Sequence, residues 1–539
     1  MKTKSKKGMC GVQKLKDFFK RPCVLIAISA VLSALPLTFS CTYPILFVSF
    51  VPLFFVLIKH SKDKLRYAFG RGLLFGILYH ICIYYWFLWF YPVDYAGFND
   101  LESLGFVLLA WLGISLIHGL LWCIPTVCCY VVNKTVKSSK LIVAAAVVAI
   151  VGAQKLTSVS ELAFPWVRVS LGLYRAPALI QSASLFGIDC VDIIVLLVNA
   201  FVTLCIIYRG KWRITAATLA VGVFATNLCF GLVRINTVKD GEQLKIMTVQ
   251  ASVETSERWT ENPNDGIDLS YEMYCDLTRK EFSDDVDLII LPESCVPIKL
   301  HKKSNFLGGF KRLSTELDTP ILIGTLWKQS GKSYNGSLLV DGNTAEQLYK
   351  KRILVPFGEY MPYQKTLSKL FPFLENINIL DVDYTEGESS ELIELDGQKI
   401  GNIICFESIY PSLSRQSTLD GANILVEPTN DSWLEDSVGV NQHLAHGVFR
   451  SIENSRWLVR SANSGVSAVI DSRGNIKSEL GALKSGVIVE DVCFSNETTL
   501  YTKVGNVLFP ACLSAVVIWY FTVIVVHHKK AHFKKIKYS

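Results

Sequence analysis

The chain has 539 residues, of which 50% are hydrophobic, 12% aromatic and 19% charged, with a formal net charge of +7. Soluble domains carry roughly 25% charged residues, so this composition, with a mean hydropathy of +0.34, excludes an ordinary soluble protein. Disorder, collagen and a small disulfide scaffold are excluded as well.

Residues 1–21 are strongly basic, with Lys2, Lys4, Lys6, Lys7, Lys14, Lys16, Lys20 and Arg21. Apolar runs follow near 22–40, 43–58, 68–91, 104–132, 140–154, 184–208 and 213–234, and one more near 504–527. A helix needs about 20 apolar residues to cross the hydrocarbon core, so these are predicted spans, with 43–58 and 140–154 short. Basic clusters at Lys59–Arg71, Lys134–Lys140, Arg209–Arg213 and Lys529–Lys537 fall on alternate loops, while the loop with Asp94, Asp100 and Glu102 is acidic. Lys and Arg are retained on the cytoplasmic side, which predicts cytoplasmic termini. An odd number of crossings before residue 243 then puts the following domain outside. The expected division is a basic N-terminus (1–21), a transmembrane domain of about seven helices (22–242), an extracytoplasmic domain (243–500), and a last transmembrane helix with a basic tail (501–539). The positive charge reads as this retention signal plus attraction to anionic lipid, not as a nucleic-acid footprint. The first apolar run lacks a small-residue cleavage site, and no apolar stretch precedes Cys10 as a lipoprotein box requires.

Many of the 15 cysteines lie in apolar runs, where Cys behaves as a small hydrophobe. Cys275, Cys295, Cys405 and Cys493 fall outside them, and no paired CxxC spacing predicts a zinc site.

From residue 243 short apolar strands alternate with turns and helical stretches. Strands are predicted at 244–250, 286–293, 320–327, 334–341, 399–407, 422–430, 456–463 and 466–471, and helices at 264–283 and 437–455. Gly342, Gly397 and Gly474 mark turns. Continuous apolar strands suit a sheet covered on both faces, so the domain reads as layered α/β. No glycine-rich phosphate loop follows a strand. Three residues at predicted strand ends carry chemistry: Glu293 after Pro292, Cys405 with Glu407 two residues on, and Lys351 ahead of LVPFGEY, which holds Glu359. A thiol, a carboxylate and an ammonium meeting at a sheet edge would make a nucleophile, a base and an oxyanion partner. Separately, Cys405 reads as core, Glu293 as a helix cap and Lys351 as part of a basic face.

LPES around Glu293, YKKRILVPFGEYMP around Lys351 and CFE at Cys405 resemble the Glu-Lys-Cys motifs of the nitrilase superfamily. With AFPWVRVSLG (163–172), TNDSW (429–433), Gln442-His443 and RSIENSRWLVRSANSGVSAVID (450–471), the pattern is similar to the apolipoprotein N-acyltransferase family along nearly the whole chain. The resemblance implies a polytopic α-helical membrane domain joined to a nitrilase-like α-β-β-α sandwich, in the bacterial inner membrane with the sandwich on the periplasmic side. It implies Cys405 as nucleophile, Glu293 as general base and Lys351 as oxyanion-stabilising cation, with Lys350 the fallback. Glu359 and Glu407 would support them, and Trp259 in ERWTE would lie on a substrate-side loop. Phe406 stands where the family usually has Tyr, and Leu434-Glu435-Asp436 where Phe-Gly is common.

The implied reaction moves an acyl chain from a phospholipid, through a Cys405 thioester, to the α-amine of a diacylglyceryl-cysteine on a lipoprotein. It needs no metal or organic cofactor, and its partners are the donor lipid, the lipoprotein and the membrane. The apolar segment 357–380 suits contact with the bilayer surface, and Arg168 and Arg175 are candidate contacts for lipid phosphates. A membrane-tethered amidase and a non-catalytic scaffold or transporter are the competing readings. Against the latter, intramembrane charges are sparse, with Asp189 and Asp192 near a span end.

Overall fold

The computed structural model describes residues 21–538 apart from 61–62, 94–97, 240, 254–262, 343–346, 365, 367–368 and 370–383. Among the described residues, seven helical segments are long and apolar enough to cross a membrane: Ser40–Lys59, Leu65–Phe90, Asp100–Thr135, Ser139–Leu156, Ile188–Ile207, Lys211–Thr237 and Leu508–Val526. Pro22–Thr38 is apolar but shorter. The start of Asp100–Leu121 is fixed by Asn99, whose Oδ1 accepts from the N–H of Leu101 and Glu102 at 3.0 Å, while the Glu102 carboxylate accepts from the N–H of Asn99. The expected run 184–208 is broken. Ala183–Phe186 is a separate turn of helix, and Ile188–Ile207 starts after Gly187, whose φ of 73° only glycine adopts without strain. Helices Leu65–Ile83 and Asp100–Leu121 touch through glycines: a Cβ on Gly76 would lie 2.5 Å from the Gly119 carbonyl oxygen.

The α/β half consists of β1 (Gln243–Gln250), β2 (Leu288–Ile290), β3 (Lys299–Leu300), β4 (Ile321–Gln329), β5 (Lys332–Val340), β6 (Gln347–Lys350), β7 (Ile393–Leu395), β8 (Gln398–Asn402), β9 (Ile424–Thr429), β10 (Leu458–Ala462), β11 (Ser467–Ile470), β12 (Ile476–Leu480) and β13 (Gly486–Cys493). One sheet runs β13-β1-β2-β4-β5-β6, with β3 also paired to β4; the other runs β12-β11-β10-β9-β8-β7. The period of two along each strand sorts the layers. Leu244 and Ile246 of β1 face a core shared with Ile400, Ile424, Val426 and Val459 of the second sheet. Met247 and Val249 face the other way, onto Tyr274 of helix Pro263–Glu281 and Phe310 of helix Asn305–Leu317. Outside the second sheet lie helices Pro411–Leu419 and Val438–Asn454. This is the expected α-β-β-α sandwich. The turn at Gly474 (φ 79°) joins β11 to β12, its N–H donating to Asp471 O at 2.9 Å.

Helix Val438–Asn454 is covered on both sides: from Gly439 to Asn454 every residue except Asn441 is buried. One side meets the second sheet; the other meets the membrane helices in a single continuous core. Gln442 is the hub of this joint. Its Oε1 accepts from the indole N–H of Trp86 at 3.1 Å and of Trp166 at 2.8 Å, and its Nε2 donates to Leu37 O and Ile83 O. Ile188 N–H donates to Glu453 at 2.8 Å, and Trp89 Nε1 donates to Asp436 at 3.2 Å, so the Leu434-Glu435-Asp436 departure sits at the same joint.

The structure corrects the expectation for Arg168 and gives Arg175 a protein partner. Arg168 is buried, with Nε donating to Asp192 Oδ2 at 2.9 Å and Nη2 paired with Asp189, which also meets Lys155 at 2.6 Å. Two buried carboxylates must be neutralised by cations, because an unpaired buried charge costs several kcal/mol. Arg175 is half-exposed but is held by Glu479 of β12 at 2.9 Å, a contact across the joint. Neither guanidinium faces lipid headgroups unengaged.

Replacing Gln442 by Leu strands two indole N–H groups and two carbonyls in a buried site, at about 1–3 kcal/mol for each unsatisfied group. Gln442→Leu is expected to lower the thermal unfolding midpoint in detergent far more than the surface change Lys399→Gln; equal midpoints would mean that the joint is held elsewhere.

Candidate active site

The parallel strands β2, β8 and β9 and the end of β6 bring the sequence-predicted residues to one edge of the two sheets. Glu293 follows β2 by three residues, beyond Pro292, rather than ending the strand. The strand expected at 399–407 also stops short. β8 ends at Asn402, one further bond runs from Ile403 N–H to Val426 O at 3.0 Å, and Cys405–Ile409 is a tight helical turn. The chain turns so sharply that Cys405 takes φ 51°, a region sparsely populated by non-glycine residues. From 401 to 409 Cys405 alone is not fully buried, which leaves it reachable. At the end of β6 the two lysines part: the Lys350 ammonium lies 4.9 Å over the Tyr334 ring, while Lys351, just past the strand, turns inward and is 1% exposed.

Lys351 Nζ lies 3.0 Å from Glu293 Oε1 and 3.0 Å from Glu359 Oε1. Asn335 of β5 closes this group, with Nδ2 donating to both carboxylates at 2.6 Å. Backbone donors hold the remaining oxygens: Asn430 N–H reaches Glu293 Oε2 at 2.9 Å and Val355 N–H reaches Glu359 Oε2 at 2.8 Å. Burial works to lower the Lys351 amine, but the two carboxylates overcome it and keep the ammonium charged well above the ordinary lysine range. The Cys405 thiol is shifted the other way. Burial and then the Glu293 carboxylate push it well above an ordinary cysteine, against the pull of Lys351. At rest, therefore, the site holds a neutral thiol beside a permanent cation and a carboxylate.

Glu407 is fully buried below the turn, where Oε1 accepts from Arg352 N–H at 2.7 Å and Oε2 accepts from Ile404 N–H at 2.7 Å and Tyr349 OH at 2.8 Å. It ties the turn of Cys405 to the loop of Lys351. Phe406 is 4% exposed and stacks on Phe164 of the membrane half, ring centroids 5.9 Å apart at 19°. The loop after Lys351 reaches the same region: Tyr360 OH donates to Glu161 O at 2.7 Å, and Tyr363 N–H donates to the Glu161 carboxylate. Trp259 and most of 365–380, including Leu367, Leu370, Phe371, Phe373 and Leu374, lie outside the described residues.

Sequence reasoning missed Asn335, Tyr349 and a third layer under Cys405. Asp431 accepts from Arg460 Nη2 at 2.5 Å and meets His443 Nδ1 at 2.8 Å. The donor atoms of Cys405, Asp431 and His443 lie within 4.8 Å of one another. Such a trio resembles a metal cage in residue type, but both Asp431 oxygens are engaged and the Arg460 guanidinium already supplies the positive charge. Arg460 and His443 hold the Asp431 carboxyl well below the usual carboxylate range although burial acts to raise it. The motif TNDSW and the pair Gln442-His443 were the available signal.

A raised thiol pKa leaves little thiolate at neutral pH. Alkylation of Cys405 by iodoacetamide is expected to run slower than for a free cysteine at pH 7 and to climb with pH past pH 9 without levelling. A plateau below pH 8 would contradict the direction of the shift.

A family profile described as Carbon-nitrogen hydrolase matches residues 246–499, and one described as Apolipoprotein N-acyltransferase N-terminal domain matches residues 29–201. An apolipoprotein N-acyltransferase of Geobacter metallireducens is 26% identical over 509 residues, covering 92% of this chain and 94% of that protein. One of Borreliella burgdorferi is 27% identical, covering 85% and 87%. A third, of Pseudomonas aeruginosa, is 31% identical over 268 residues, covering 49% and 50%. The sandwich thus has the nitrilase-superfamily fold, and with a matching profile on each half the chain belongs to the apolipoprotein N-acyltransferase family.

Proposed function

We propose that this chain transfers an acyl chain from a membrane phospholipid to the α-amine of the N-terminal diacylglyceryl-cysteine of lipoproteins, in two half-reactions on Cys405. Glu293 takes the Cys405 proton as the thiolate attacks the ester carbonyl. The tetrahedral oxyanion faces the Lys351 ammonium and the Phe406 N–H. Collapse expels the glyceryl oxygen, Glu293 returns the proton to it, and lysophospholipid leaves a thioester behind. The acceptor amine then attacks the thioester, Glu293 removes its proton, and the amide departs as the Cys405 thiol is restored.

The observation that carries this reading is the fully buried Lys351 ammonium, shared at 3.0 Å between Glu293 and Glu359 beside a reachable thiol. It suits a site where negative charge forms twice. Glu359 holds the cation and Glu407 holds the turn, so both act through the neighbouring groups. A lipid donor is favoured over a small amide because Phe406 and Tyr360 lean on Phe164 and Glu161 of the membrane half, which places the thiol beside the apolar helices. The alternation of basic and acidic loops supports a multi-pass arrangement in the bacterial inner membrane, with the sandwich on the periplasmic side. The intact set of reactive groups argues against a scaffold.

The test is a covalent trap. Protein mixed with phospholipid carrying a labelled acyl chain, without acceptor, is expected to take up label that neutral hydroxylamine releases and that Cys405→Ala lacks. A diacylglyceryl peptide should discharge it. Discharge by water alone would favour the amidase reading, and absence of label on lipid-bound protein would favour the scaffold. Phe406→Tyr adds a hydroxyl beside the Phe164 ring and is expected to change turnover or donor preference, measured by competition between two headgroups; if both stay the same, Phe406 is a spectator.

A further inference from the structure

His443 has no part in the two half-reactions, yet it lies directly beneath the nucleophile. It sits in the second turn of helix Val438–Asn454 and is 2% exposed. Its Nε2 is 3.1 Å from the backbone carbonyl oxygen of Cys405. A carbonyl oxygen only accepts, so Nε2 carries the proton in this contact. Nδ1 meets Asp431 Oδ1, likewise an acceptor, at 2.8 Å and lies 3.0 Å from Arg460 Nη2. Glu427 Oε1 stands 3.6 Å from Nε2 and is itself paired with Arg460. From the membrane half, Trp166 backs the imidazole at 5.3 Å between ring centroids. The ring is therefore held at both nitrogens, with Nε2 on the Cys405 carbonyl and Nδ1 on Asp431.

The peptide between Cys405 and Phe406 is planar, and in a trans peptide its C=O and N–H point in opposite directions. Fixing the oxygen fixes the hydrogen. Phe406 is the second residue of its helical turn, where an N–H has no carbonyl one turn back to bond. Cys405 needs such a hold, since φ 51° persists in a non-glycine residue only where the surroundings impose it.

We propose that His443 is a positioning residue: by holding the Cys405 carbonyl, with Asp431 and Arg460 behind it, it aims the Phe406 N–H at the oxyanion of both half-reactions. This rests on the reading of Cys405 as the acylated nucleophile. The role differs from activating the thiol. Alkylation by iodoacetamide passes through no tetrahedral oxyanion, so it reports thiolate and access without the Phe406 N–H, whereas thioester formation needs both.

The experiment compares full-length wild type with His443→Leu, His443→Asn and His443→Gln, measuring acyl-thioester formation from labelled phospholipid and alkylation of Cys405 by iodoacetamide. The Gln amide nitrogen can occupy the place of Nε2, while the Asn amide reaches only the place of Nδ1. Leu and Asn are expected to slow acylation by about 100-fold, the scale of a misaimed oxyanion donor, with alkylation within about twofold of wild type. Gln should recover most of the acylation rate. Equal falls in both rates, unchanged acylation in Leu and Asn, or a Gln variant no better than Asn would each overturn the proposal. The Gln–Asn comparison stands even if the Leu variant does not fold. A wild type that takes up no acyl label would overturn the reading of Cys405 instead, leaving the two failures distinguishable.

Discussion

Much of this molecule depends on one helix having to satisfy two partners at once. Val438–Asn454 is buried from Gly439 to Asn454 apart from Asn441, yet it contains Gln442, His443, His446, Arg450, Glu453 and Asn454. A helix buried all round is ordinarily apolar all round. Here Arg450 is paired with Glu453 of its own helix at 3.0 Å, and the faces supply other partners: Gln442 receives two indoles, His446 meets Trp166 O at 3.0 Å, and Glu453 caps Ile188 N–H. Without the membrane half these groups would be stranded; without the second sheet, Leu444, Val448 and Ile452 would be exposed. The orientation of the sandwich on the helices follows from that dual demand.

The reactive edge is built on the same economy of shared atoms. The ammonium of Lys351, the amide of Asn335, the hydroxyl of Tyr349 and five backbone N–H groups satisfy three buried glutamates. The charges are unequal in number, with one lysine between two carboxylates; that excess holds the cation firmly, and, second to burial, it helps to raise the nearby thiol. Ionisation of the thiol then waits for proton acceptance in the reaction itself.

Much of this was legible in the sequence because strong periodic patterns and strand-end motifs are local. Each expected apolar run has a helix, and β1, β4, β5, β9, β10 and β11 fall within a few residues of the expected strands. What was not legible is what depends on register or on distant pairing. Strands β3, β6, β7 and β12 are short and polar enough to read as loops. Asn335 falls inside the expected strand 334–341 with nothing local to mark it, and only the β5–β6 register, with Gly336 opposite Lys350, carries it to the glutamates. Arg168 reads as a candidate contact for lipid phosphates, because its acids Asp189 and Asp192 lie a further turn and helix along the chain. Cys405 reads as the end of a strand, not as a turn beyond it, because the apolar run IICF continues past the last ladder bond.

The joint at Phe164, Trp166 and Trp86 also fixes an order of assembly. Residues 22–237 leave the ribosome before any part of the sandwich, so the helices that receive Gln442 and Phe406 are in place when those side chains emerge. The glycine contact between Leu65–Ile83 and Asp100–Leu121 needs nothing from the later chain. The sandwich, by contrast, can settle its last buried polar groups only against the helices that precede it. An unassembled bundle leaves the nucleophile's turn uncovered on the Phe164 side, so the chain acquires its reactive geometry only after its helices have packed.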